Sequence, residues 1–158
     1  MPKIQSAGIL LFRIAAGRPE VLLAHPGGPF WANRDEGAWS IPKGEIEAGE
    51  EPLQAARREF EEEIGAAPPT EGLLPLGTVR LSSGKLVHAW AARGDFDPTL
   101  SKSVMFSMEW PPKSGRVAEF PEVDRADWFT LEAAERKILP GQSPFLARLR
   151  EKLAPPQA

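Results

Sequence analysis

The stretch GEIEAGEEPLQAARREFEEEIG, residues 44–65, decides how the rest of the chain is read. Pro52 suits the first turn of a helix, where its missing N–H costs nothing, and Gly65 suits the left-handed cap that ends one. Between them Leu53, Ala56, Phe60 and Ile64 recur at helical spacing. At about 100° per residue they fall in one narrow sector that must face a core. Glu59, Glu62 and Glu63 stand at i, i+3 and i+4 and share a neighbouring sector, whereas Glu61 turns to the opposite flank and reads as a solvent residue. Like charges so spaced repel by roughly a few tenths of a kcal/mol per pair in water. Three of them beside a buried face should not all ionise without compensation. A hard divalent cation such as Mg²⁺ or Mn²⁺, which keeps several waters and bridges to phosphates, supplies that compensation. Arg58, four residues before Glu62, is placed to orient a carboxylate by a bidentate ion pair. A plain solvated acidic face is the competing reading of such a helix.

Outward from this helix the chain alternates between strand-like and loop-like segments. Residues 7–13 (AGILLFR) and 20–25 (EVLLAH) are apolar and β-prone, and the Gly and Pro between them predict a hairpin. Residues 25–44, rich in Gly, Pro and aromatics, read as a long loop of the kind that carries function in small domains. After the helix, residues 74–81 and 86–92 read as strands around the turn SSGK, and 104–110 as another. The segment PPKSGRVAEFPEVDRA then reads as a second loop, and 126–130 as a short strand. Helical patterns follow at 131–138 and, past the breaker LPGQSP, at 144–153. No internal repeat or linker interrupts this order. The expected class is α+β, a mixed sheet with helices packed against it, as one domain over residues 1–153 with a frayed tail at 154–158.

Composition narrows the function classes. The 158 residues carry a net charge of -3, which gives no basic field for nucleic acid or anionic membrane. With no cysteine there is no disulfide framework, thiolate nucleophile or cysteine zinc site. Two histidines, His25 and His88, are too few for a histidine-rich metal site and read as structural. The N-terminus lacks the long apolar region and cleavage pattern of a signal peptide, and no stretch is long enough to span a bilayer. The expectation is a soluble cytoplasmic protein.

Gly44, five residues, Glu50, seven residues, then Arg58-Glu59-Phe60-Glu61-Glu62-Glu63-Ile64-Gly65-Ala66 resembles the signature box of the Nudix hydrolases. All seven fixed positions stand at the required spacing. Chance agreement at average composition is on the order of 10⁻⁷ or less per start position. Phe60, aromatic where an aliphatic is usual, and the small Ala66 depart from the pattern but stay apolar. The resemblance implies a Nudix-type α/β/α sandwich around a mixed sheet and hydrolysis of a pyrophosphate bond in a nucleoside diphosphate linked to another group. It implies Mg²⁺, with Mn²⁺ as substitute, held by Glu59, Glu62 and Glu63, with Glu59 also serving as base. Glu50 would support the metal site, Arg58 would hold the glutamates, and a backbone carbonyl at Lys43 or Gly44 would complete the coordination. A further glutamate from outside the box is expected as base or ligand, Glu122 ahead of Glu119.

The entry to the box, AWSIPKGEIEAGE at 38–50, resembles that of dinucleoside polyphosphate hydrolases and MutT-like members. Lys43 is expected to contact phosphate as a point charge, and Trp39 to contribute to substrate binding. Lys85, Arg80, Lys113 and Arg116 are further phosphate candidates without rank. The absence of tyrosine weakens the analogy to enzymes that clamp adenine with tyrosines. The expected partner is a small nucleotide, a dinucleoside polyphosphate or nucleoside triphosphate first, with ADP-ribose, a nucleotide sugar or an RNA 5′ end as alternatives. A non-catalytic nucleotide sensor, which usually has a broken box, and a calcium-binding or structural acidic helix are the readings from other classes.

Overall fold

The computed structural model describes residues 4–154; residues 155–158 of the expected tail lie outside them. Strands β1 (Gln5–Ala15) and β2 (Arg18–Pro26) form an antiparallel hairpin. Its two turn residues, Ala16 and Gly17, have φ of 51° and 77°, the left-handed pair that matches the twist of flanking strands. β1 is buried on both faces, as befits a central strand covered from two sides. Ala7, Ile9 and Leu11 point to one face and Leu10 and Phe12 to the other.

β3 (Lys43–Glu45) pairs antiparallel with the first half of β1, at Ser6, Ala7 and Gly8. The second half of β1 pairs with β2, from Phe12 to Ala15. The two long strands therefore part, and residues 40–45 insert between them: Ser40 exchanges two backbone bonds with Ala24, and Ile9 N–H donates to Pro42 O at 3.1 Å. Helix α1 (Pro52–Ile64) follows, then β4 (Leu74–Arg80) and β5 (Leu86–Arg93) as an antiparallel pair. β5 runs parallel to β1, which makes the sheet mixed. A separate hairpin of β6 (Met105–Glu109) and β7 (Val117–Pro121) leads into β8 (Val123–Thr130), antiparallel to β2. Helix α2 (Leu131–Lys137), a 3₁₀ turn (Pro140–Gln142) and helix α3 (Ser143–Leu153) complete the described chain. The six-stranded sheet has the order β4-β5-β1-β2-β8, with β3 on β1.

One face of the sheet packs on α1 through Ala55, Ala56, Phe60 and Ile64. The other packs on α2 and α3 through Leu131, Ile138, Phe145 and Leu149. The α+β sandwich expected from the sequence is the observed fold. The outer strand β4 is closed by α3, whose Arg148 guanidinium donates to Leu76 O at 2.9 Å and Thr78 O at 2.7 Å. No helix among the described residues is long and apolar enough to cross a membrane.

Three local expectations are corrected. Leu53 is only half-buried and Ala55, one helical turn before Glu59, joins Ala56, Phe60 and Ile64 in the buried stripe. Residues 117–121, read as loop, are β7; their partner strand supplies the hydrogen bonds that weak local alternation did not announce. Residues 43 and 44, read as the end of the long loop, form β3 with Glu45, a polar triplet made a strand by its place against β1.

Candidate active site

Arg58 organises the acidic face of α1. Its Nε and Nη2 make a bidentate pair with Glu50 at 2.8 and 3.0 Å, and Nη2 also donates to Glu45 O at 3.0 Å. Nη1 donates to Glu59 at 2.8 Å and Glu62 at 3.2 Å. The bidentate partner is thus Glu50 rather than Glu62, since only Glu50 approaches the guanidinium edge-on from the preceding loop. Glu50 spends both oxygens on Arg58 and one also on the Glu47 amide. These bonds, Arg58 first, hold its carboxyl down at about 2. Glu50 thus holds the arginine that holds the other glutamates.

Gly44 and Glu59 are fitted to one another. A Cβ at Gly44 would lie 2.0 Å from the Glu59 carboxyl carbon, so only glycine admits that carboxylate against β3. Burial raises the Glu59 carboxyl above its ordinary value and outweighs the Arg58 bond that lowers it. Glu63 lies deeper, accepting the Lys43 N–H at 3.1 Å, and burial pushes its carboxyl up to about 8. Burial likewise lowers the Lys43 ammonium, with Lys85 the next cause, so Lys85 is close enough to be felt.

Glu122 reaches the same place from outside the box. Val104 N–H donates to Glu62 O and Val104 O accepts from Glu122 N–H, both at 2.9 Å, so one residue ties the helix end to the β7–β8 connection. Gly27 N–H donates to Glu122 O at 2.9 Å, and Glu122 acts electrostatically on both Glu59 and Glu63. Glu119 is an exposed residue of β7, opposite Ser107.

A cleft of about 200 Å³ opens beside the end of β2, bounded by Ala24 and Pro26, Lys43 of β3 and Val123 of β8. Lys43, Glu63, Glu122 and Ser40 give it a charged and polar side; Trp31 and Leu139 give it an apolar one. Trp39, expected at the substrate, is in the core instead, 3% exposed, with Phe129 and His25 edge-on and its indole N–H bonded to Asp35. A base has no access to its faces here; Trp31, one of the five tryptophans, is the one that lines the cleft. His25 is buried between Asp124 and Arg34 O, at 2.8 and 2.6 Å, and is structural as expected. His88 on β5 bonds Gln5. Gln142, buried and polar, was not singled out from the sequence. Its carboxamide accepts Ile41 N–H and donates to Ser40 Oγ, both at 3.0 Å. No local signal marks a residue 101 positions from its partner; its position in the LPGQSP breaker reads as a turn.

The donor set suits a hard cation: every candidate atom is oxygen, and Glu63 is a half-buried carboxyl that accepts from one backbone amide. Among the described residues no three acidic or histidine side chains close into a cage by themselves. The tight knot of three carboxylates expected from the helix projection is therefore opened, with Glu59 and Glu62 drawn to Arg58 and Glu63 to the Lys43 amide. A partial donor set fits Mg²⁺, which is commonly held by one or two carboxylates, waters and substrate phosphates.

A mixed sheet between helices, with an arginine-ordered acidic helix against a glycine strand, defines the class as an α+β Nudix sandwich. The NUDIX domain model matches residues 2–149. The chain belongs to the Nudix hydrolase family. Over 55 residues it is 49% identical to an RNA pyrophosphohydrolase of Alkalilimnicola ehrlichii, covering 32% of this chain and 30% of that one. Over 49 residues it is 45% identical to the RNA pyrophosphohydrolase of Francisella tularensis subsp. mediasiatica, covering 30% and 32%. The match thus spans about a third of the length of these curated relatives. Among solved structures it resembles a C. elegans Ap4A hydrolase binary complex, with a TM-score of 0.64, 26% identity and 94% and 97% of the two chains covered. The NUDIX domain of Shewanella oneidensis NrtR complexed with ADP ribose has a TM-score of 0.66 at 18% identity, over 98% and 90%, a likeness of fold alone.

Proposed function

We propose that residues 1–153 act as one cytoplasmic domain, a Mg²⁺-dependent pyrophosphohydrolase that cleaves a phosphoanhydride bond of a nucleoside diphosphate linked to another group. A dinucleoside polyphosphate or a nucleoside triphosphate is the leading substrate. The observation that carries the reading is the cleft itself, acidic and cationic on one side and apolar on the other, beside an intact row of Glu59, Glu62 and Glu63. A bound divalent ion supplies charge neutralisation at the phosphates and a lowered pKa for water. Glu59, Glu62 and Glu63 would hold it, with a backbone carbonyl at Lys43 or Gly44. Arg58, fixed by Glu50, keeps Glu59 and Glu62 from swinging into solvent. Lys43 and Lys85 orient the polyphosphate, and Trp31 offers a ring face to a base. Glu59 or Glu122 accepts a proton from water as its oxygen bonds to phosphorus and the bridging P–O bond breaks.

The resemblance to a C. elegans Ap4A hydrolase over nearly the whole chain supports a dinucleotide. The RNA pyrophosphohydrolase relatives favour a second reading, removal of pyrophosphate from an RNA 5′ end. Net charge of -3 supports the small nucleotide over the polymer. The test is a panel of dinucleoside polyphosphates, triphosphates, ADP-ribose, nucleotide sugars and 5′-triphosphorylated RNA, with Mg²⁺ or EDTA, products resolved by mass. Mg²⁺-dependent cleavage of at least one is expected, and labelled water fixes the phosphorus attacked. Tight binding with no cleavage of any would replace the enzyme by a nucleotide sensor.

A further inference from the structure

Segment 40–43 runs between the parted strands, and its two ends, Ser40 and Lys43, line the cleft. On one side it is pressed onto β1: a Cβ at Gly8 would lie 2.5 Å from Pro42 O and 2.7 Å from Lys43 Cβ. On the other side it is held by the paired backbone bonds of Ser40 with Ala24 and, at Ile41, by one side chain. Gln142 is 1% exposed, and its Oε1 takes the N–H of Ile41, itself fully buried. Its Nε2 donates to Ser40 Oγ, which donates in turn to Ile41 O at 2.7 Å. The 3₁₀ turn carrying Gln142 is itself fixed, because Gln142 N–H donates to Leu139 O and Leu139 N–H to Trp39 O, at 2.9 and 2.7 Å. Two residues beyond Ile41, the Lys43 N–H donates to Glu63.

We infer that Gln142 is a positioning residue of the active site, setting the place of the Lys43 amide and, through that amide, the orientation of the Glu63 carboxylate toward the cleft. This deepens the proposed function and rests on it for the role of Glu63. A residue of equal volume without polar atoms fills the same space but leaves the buried Ile41 N–H without a partner, and the segment must shift to find one. Merely apolar packing at 142 would not specify a carboxamide whose two ends are both engaged with 40 and 41. The turn before α3, otherwise remote from the box, thereby becomes part of the metal site's support.

The variants are Gln142→Met, which keeps the volume and loses both bonds, and Gln142→Glu, which keeps the acceptor for Ile41. Leu149→Ala, which truncates a buried α3 residue whose apolar side chain makes no hydrogen bond to segment 40–43, is the stability control. Three quantities are read: Mn²⁺ affinity of the substrate-free protein by electron paramagnetic resonance, hydrogen exchange at the Lys43 amide, and Mg²⁺-dependent turnover. Gln142→Met should weaken Mn²⁺ binding and lower turnover by about 10-fold or more and speed Lys43 exchange. Gln142→Glu should recover most of each, while Leu149→Ala should lower Tm and leave Mn²⁺ affinity within about twofold. Unchanged Mn²⁺ affinity and Lys43 exchange in Gln142→Met, or equal losses in Leu149→Ala, would overturn the inference. If Gln142→Met fails to fold, unimpaired Mn²⁺ binding by Gln142→Ala would overturn it as well. If the wild type binds Mn²⁺ but cleaves no nucleotide, the functional proposal falls while this one is still decided by affinity and exchange. If it binds no Mn²⁺, exchange at Lys43 decides.

Discussion

Glu63 is the carboxyl whose surroundings differ most from water. Its pKa of about 8, raised by burial, fixes the sign of a pH effect. The folded protein holds a proton there that the unfolded chain, with an ordinary carboxyl near 4.5, releases. Between those values the native state binds more protons, so stability of the metal-free protein falls as pH rises and the loss is complete above about 8. Melting in EDTA across that window should show the decline from this residue, and Glu63→Gln should flatten it and melt higher than wild type at pH 8. Equal slopes would contradict the burial argument. The same substitution, like Glu62→Gln, should lower Mg²⁺-dependent turnover by about 100-fold or more while the far-ultraviolet circular dichroism is unchanged. Glu122→Gln should give a smaller but clear loss; an unaffected rate would make it an ordinary loop carboxylate.

Helix α1 and strand β3 act as one device at the scale of elements. Gly44 is the contact between them, and Gly44→Ala has no way to keep both its Cβ and the Glu59 carboxylate where they stand. Turnover should fall to near background with only a modest loss of Tm, because the strand is short and at the surface of the core. An active Gly44→Ala enzyme would show that Glu59 works from another rotamer. Arg58→Lys should fail almost as badly, since a single ammonium cannot reach Glu50, Glu59, Glu62 and the Glu45 carbonyl together. Most of α1 was legible in its residues: the proline start, the glycine end, the apolar stripe and the acidic sector all depend on local spacing. β3 and β7 were not, because a polar triplet and a weakly alternating pentapeptide become strands only through partners elsewhere. The burial of Trp39 is a similar case. Whether an indole lies in the core or in a cleft depends on how β1 and β2 part, which no nearby residue encodes.

An ion held at the proposed site would be coupled to folding of the whole molecule. Any cation that binds only the native state adds RT ln(1 + [L]/Kd), about 2.7 kcal/mol at a hundredfold excess over Kd. Mg²⁺ should therefore raise Tm in wild type in a concentration-dependent manner and have little effect in Glu63→Gln; an identical rise in both would point to nonspecific binding. Arg148 has a consequence at this scale too. By lying across the carbonyls of Leu76 and Thr78 it denies the rim of the sheet to any neighbouring chain seeking to add a strand. Arg148→Met should leave catalysis intact yet make light scattering climb with protein concentration, as the uncovered flank recruits further chains strand by strand.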